Sequence, residues 1–154
     1  MNPRLLLFAS FLPLGVMIRS DFRERQVGVL ALVFFASLQF GYALLSAEAH
    51  KVLLNLTANL GLIGLAGGAL WIFLHVLRPG DSRQMIGAGD GWFIVALAPL
   101  FELRGYVFFL TAAFLLSLGW WWVVGLLRRR PDTIPLVGTV GVCFLCYALA
   151  LLFR

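Results

Sequence analysis

Two aspartates stand at the edges of apolar runs, Asp21 just after one and Asp90 just before another. A carboxylate against a bilayer costs a few kcal/mol or more, so such a residue marks a functional position by default. Asp90 closes the run Gly87-Ala88-Gly89-Asp90. Gly87 and Gly89 are expected to supply backbone conformations closed to other residues and to admit a second chain at close range. Two carboxylates held together do not both ionise readily, because like charge and low dielectric raise the pKa of one of them. The ionised member can take a proton from water as that water attacks an amide carbonyl. The protonated member can hydrogen-bond the carbonyl and later protonate the leaving amine. The pair titrates as a unit, so acid and base are not assigned between Asp21 and Asp90. The chemistry expected is aspartyl proteolysis, with Asp21 and Asp90 catalytic, Gly87 and Gly89 in the active-site loop, and no metal or cofactor. No H-E-x-x-H, G-x-S-x-G or Walker sequence offers a rival centre.

The elements that must position these acids are apolar helices. Of 154 residues 62% are hydrophobic and 12% charged, about half the charge of a soluble domain. Mean hydropathy is +0.96. Period-2 alternation is missing, and an open sheet cannot satisfy its backbone in lipid, so the fold expected is all-α. Six apolar runs can be marked: Arg4–Ile18, Val27–Ala47, Val52–Leu77, Trp92–Phe101, Tyr106–Leu127 and Ile134–Phe153. A span needs roughly 20 residues. The chain therefore predicts one polytopic domain over 1–154 with about six transmembrane helices, the first uncleaved. The fourth run spans only if its helix begins near Gly89, and Pro99 should distort its last turn.

Eight of the twelve basic residues fall on one side when the runs are counted alternately from a cytoplasmic Asp21: Arg19, Arg23, Arg25, Arg78, Arg83 and Arg128 to Arg130. The positive-inside rule then puts both aspartates at the cytoplasmic face of the cell's inner membrane, with the lipid bilayer as surroundings. A span missed between them would put them on opposite faces. The net charge of +5 is explained by this topology, and no basic stripe points to nucleic acid.

The remaining polar and small residues have simpler readings. Cys143 and Cys146 are small apolar packing residues within a helix. Gly64 and Gly68 form a G-x-x-x-G suited to close helix packing. Asn55, Thr57 and Asn59 are expected to hydrogen-bond between helices. Trp120, Trp121 and Trp122 before three arginines suit an interfacial anchor. His75 reads as a core or interfacial histidine. Glu24, Asp81 and Asp132 offset nearby arginines.

Three places in the chain resemble the type IV prepilin peptidases, including the archaeal preflagellin peptidases. Asp21 and Arg25 stand where that family has an Asp followed four residues later by Arg, and Val27 stands for its following Ile. Gly87 to Asp90 is its Gly-x-Gly-Asp. Ile134-Pro135-Leu136-Val137-Gly138 is similar to the run that leads its last helix. Gly28 and Val29 replace the family's Pro-Asn, and Trp92 replaces its Lys. The cytoplasmic domain with paired Cys-x-x-C motifs is missing, so the chain looks like a short form, and N-methyltransferase activity is not carried over. The resemblance implies a membrane endopeptidase that cuts the basic leader of prepilin-like substrates after Gly. Arg25, Glu24 and Asp81 would support the site or meet the leader. Two other readings use the same features. One is a catalytically degenerate paralogue that assembles with a pilus or secretion machine. The other is a small proton- or ion-coupled transporter that uses the carboxylates as binding sites.

Overall fold

The computed structural model describes residues 2–24, 26–73, 87–127 and 135–153. Among them there is no strand. The helices are α1 (Pro3–Ala9), α2 (Phe11–Glu24), α3 (Val29–Ser46), α4 (Ala49–Ile72), α5 (Ala88–Leu97), α6 (Leu103–Leu127) and α7 (Leu136–Leu152), with a 3-10 turn at Ala98–Leu100 after α5. The break between α1 and α2 has a local cause. Pro13 offers no N–H to the Ala9 carbonyl one turn back and crowds it, so the helix bends at Ser10. The Ser10 hydroxyl donates to the Leu7 carbonyl at 2.7 Å and helps satisfy the bend. Together α1 and α2 form one apolar unit, and the described residues of each of the six expected runs are helical apart from their ends.

Four of these units are long and apolar enough to cross a membrane: Pro3–Glu24, Val29–Ser46, Ala49–Ile72 and Leu103–Leu126. The segments Ala88–Leu100 and Leu136–Leu152 are shorter. At 1.5 Å per residue they reach about 20 and 25 Å, against a hydrocarbon core of about 30 Å. Of the six spans expected, two are therefore short, and both begin at the end of the bundle that holds the aspartates. Pro99 ends the α-helical part of α5 as anticipated.

α2 runs past the expected end at Ile18. Leu14, Met17 and Asp21 are all buried, at the spacing of one helix face. Arg19, Arg23 and Glu24 lie on exposed faces. The Ser20 hydroxyl donates to the Gln26 carbonyl and closes the short connection into α3.

α7 packs antiparallel on α2, and two glycines set the distance. A Cβ built on Gly138 would lie 2.6 Å from a ring carbon of Phe22. One on Gly141 would lie 2.9 Å from Ile18 Cγ1 and 3.3 Å from Leu14 Cδ1. The branched Ile18 has little room to turn aside, so Gly141→Ala should lower stability by about 1–3 kcal/mol. Thermal unfolding in detergent measures this, and an unchanged Tm would refute the close crossing.

The core is aromatic where α3, α5 and α7 meet. Phe35 stacks on Phe93 with centroids 5.4 Å apart and meets Phe144 edge-on at 5.8 Å. At the other end Asn59 fastens α4 to the turn after α5. Its Nδ2 donates to the carbonyls of Ala98 at 2.8 Å and Phe101 at 2.7 Å. Thr57 bonds back within its own helix, to the Leu53 carbonyl at 2.9 Å, so among the described residues Asn59 acts between helices as expected and Thr57 does not. The G-x-x-x-G of α4 is not a contact among the described residues: a Cβ on Gly64 or Gly68 would meet nothing within 4 Å. Cys143 is half-buried and Cys146 exposed, both as free thiols.

Candidate active site

Four helix ends converge at one pole of the bundle: the C-terminus of α2 and the N-termini of α3, α5 and α7. Asp21 reaches this point on the last turn of α2, and its side chain is buried at 5% exposure. Its Oδ2 accepts the backbone N–H of Gly138 at 2.6 Å. Gly138 is in the first turn of α7, which starts after Pro135 and has no side-chain cap of its own. The opening N–H groups of a helix have no partner within it and carry the positive end of its dipole. Asp21 supplies the missing acceptor from another helix.

Asp90 arrives at the same helix end from α5. It lies in the first turn of α5, half-buried. The Gly87 amide donates to its Oδ2 at 3.3 Å, and the Asp90 amide donates back to the Gly87 carbonyl at 3.0 Å. The Asp90 carboxylate thus supplies the N3 half of a capping box, and the Gly87 carbonyl stands in for the side chain that glycine lacks. Burial, and then the neighbouring charge of Asp21, push the Asp90 carboxyl above the ordinary carboxylate range. Hydrogen bonds from the backbone amides of Gly87 and Val137 pull the other way. At the start of α7 the Gly138 amide donates to Asp21, and the adjacent Val137 amide favours the charged form of Asp90. The protonated form of Asp90 is thus favoured relative to that of an ordinary aspartate, the direction that acid–base chemistry on water uses.

The glycines of Gly87-Ala88-Gly89-Asp90 contribute by size. Gly87 has φ −67° and ψ 138°, ordinary extended backbone open to any residue, and Gly89 lies within α5. The expected special conformation is therefore not used. A Cβ on Gly87 would stand 3.2 Å from Asp90 Oδ2, and one on Gly89 would stand 3.0 Å from Val27 Cβ. The first keeps space beside the carboxylate. The second lets the α2–α3 connection rest on the N-terminus of α5, which links the segments that carry the two acids.

The other expected site residues divide by position. Glu24 is exposed at the end of α2, three residues beyond Asp21. Arg25, Asp81, His75 and Asp132 lie outside the described residues. Phe22 covers Gly138 and meets Trp120 edge-on, with centroids 6.5 Å apart. Trp92 is exposed beside the site. The Val137 and Gly138 amides were not anticipated as part of the site. The signal for them was a Pro followed by an apolar helix with no capping residue of its own. No group of three or more metal-ligating side chains occurs among the described residues.

Fold and site define an all-helical bundle of membrane-spanning character with a carboxylate pair at one end. No family model, curated protein or solved structure matches the chain. The likeness to prepilin peptidases is carried by the motifs alone.

Proposed function

We propose that the chain is a membrane aspartyl endopeptidase whose nucleophile is water activated jointly by Asp21 and Asp90. The observation that carries this reading is the convergence of both carboxyls on the N-terminus of α7, with the Asp90 carboxyl raised by burial and by Asp21. The Gly138 amide already has its acceptor in Asp21. A second, half-buried acid beside it costs stability, and such a cost is expected where charge does chemical work. In the reaction the ionised carboxylate takes the proton of the attacking water and the protonated one hydrogen-bonds the amide carbonyl. The tetrahedral intermediate collapses with proton donation to the amine.

The motif resemblance supports prepilin-like substrates, cut after Gly at the cytoplasmic face of the inner membrane. Their basic leaders would lie near Glu24, with Asp81 as a further contact and Arg25 supporting the site, and their apolar stems would lie in the bilayer. Glu24→Lys should then raise KM for a basic-leader peptide about three- to tenfold and leave kcat unchanged, as expected for a charge that aids binding alone. The effect should fade with added salt. An unchanged KM would remove Glu24 from leader binding. Incubating the detergent-solubilised protein with prepilin-like peptides tests the whole reading: it requires a product ending at Gly.

A second reading has one specific observation in its favour. The 2.6 Å bond from Gly138 to Asp21 would also serve a catalytically degenerate chain in which Asp21 only holds α7 in place. The two readings separate on Asp90, whose acceptor role asparagine can keep but whose ionisation catalysis requires.

A further inference from the structure

Two contacts lead from the segment that carries one aspartate to the segment that carries the other. Ser20 precedes Asp21 near the end of α2, and its hydroxyl donates to the Gln26 carbonyl. Val27 is next in the chain, and its side chain rests on Gly89. A Cβ on Gly89 would come 3.0 Å from Val27 Cβ, 3.2 Å from Cγ2 and 3.8 Å from Cγ1. Gly89 directly precedes Asp90 in α5.

The hydrogen bonds of the acids described above run elsewhere. That of Asp21 goes to Gly138 of α7, and that of Asp90 goes to Gly87 at the start of its own helix. Neither joins α2 to α5, so the distance between the carboxyls depends on the packing between those segments. Val27 is suited to set it. The side chain is β-branched and so stiff about χ1. It is also partly buried against the core, which keeps it from swinging aside. On the other side of the contact Gly89 offers bare backbone, so the two segments meet as closely as their atoms allow.

We infer that Ser20 and Val27 are positioning residues for the carboxylate pair. The Ser20 hydroxyl ties down the connection that follows α2, and Val27, standing on Gly89, sets how near Asp90 comes to Asp21. The inference rests on the aspartyl chemistry proposed above and gives these residues no contact with substrate. The size of the effect follows from the geometry. A methyl on Gly89 must open the contact from 3.0 Å to the 3.4–4 Å of ordinary van der Waals distance, and the start of α5 moves with it. A misplacement of about 1 Å at a catalytic group can cost about 10²-fold in rate.

Gly89→Ala should lower kcat on a prepilin-like peptide about 10- to 100-fold and leave KM within about twofold, because no binding group is touched. Adding Val27→Gly returns the space and should restore most of that loss, a recovery that general damage to the fold would not show. Ser20→Ala should lower kcat about three- to tenfold, and Ser20→Thr, which keeps the hydroxyl, should hold the native rate. A readout without substrate is the fall in Asp90 pKa caused by Asp21→Asn, followed by carbon-detected NMR. That fall should be smaller in Gly89→Ala and in Ser20→Ala than in the native chain, since the coupling weakens with distance. The Ser20 variants carry both readouts if Gly89→Ala fails to fold. If the native protein cleaves nothing, the proteolytic reading fails and the titration alone judges the positioning. A native kcat in Gly89→Ala or Ser20→Ala, a loss that Val27→Gly does not restore, or an undiminished coupling in either variant would each overturn the inference.

Discussion

Asp90→Asn should abolish peptide cleavage, by about 10³-fold or more, and at neutral pH it should raise the Tm. General acid–base groups contribute about 10²–10⁴-fold, and a variant that cannot exchange the proton loses that whole factor. The stability effect follows from the raised pKa of Asp90. A carboxyl that titrates higher in the folded chain than in the unfolded chain holds more protons when folded. Stability therefore falls as pH rises from the ordinary value of 3.8 through the raised folded value. Asparagine removes this loss and still offers an oxygen to the Gly87 amide. The gain should be greatest above the folded pKa and vanish below pH 3.8. Unfolding curves of the two proteins across pH measure it. A variant that is both inactive and more stable is the signature of a residue kept for chemistry, and a destabilised Asp90→Asn would speak for a structural role.

Asp21 should behave differently in stability and alike in activity. Asp21→Asn keeps an acceptor for the Gly138 amide, so the fold should survive while cleavage is lost to a similar extent. Asp21→Ala removes the acceptor that α2 offers that amide and should cost about 0.5–2 kcal/mol, the worth of a helix cap. Asp21→Asn should also lower the pKa of Asp90, since one of the two causes raising it is the charge of Asp21. Carbon-detected NMR of the labelled Asp90 carboxyl reads this shift directly. An Asp90 titration indifferent to Asp21 would mean that the two acids are not coupled.

The six apolar runs and both aspartates were legible in the sequence because apolar length and isolated acids are features of residue type. The end of α2 was less so. Arg19, Ser20, Arg23 and Glu24 surround Asp21 with the composition of a loop. They occupy exposed faces of a helix whose buried face, Leu14, Met17 and Asp21, carries on at the same spacing. The Val137 and Gly138 amides were the least visible part of the site, since every residue except proline has an amide and only the three-dimensional path decides which are unpaired. Glycines misled in the same way. Gly64 and Gly68 have the spacing of a packing motif, yet among the described residues nothing meets them. The close crossing is made by Gly138 and Gly141. A glycine shows where another surface can approach, and the approaching surface is specified elsewhere in the chain.

Cleavage of a prepilin-like peptide in water enriched in oxygen-18 tests the central claim most directly. If Asp21 and Asp90 activate water together, mass spectrometry should find one heavy oxygen in the new C-terminal carboxylate of the leader after a single turnover. Asp21→Asn and Asp90→Asn should each leave the peptide whole. An intact peptide with the native protein, or heavy-oxygen product formed equally well by either variant, would contradict the account.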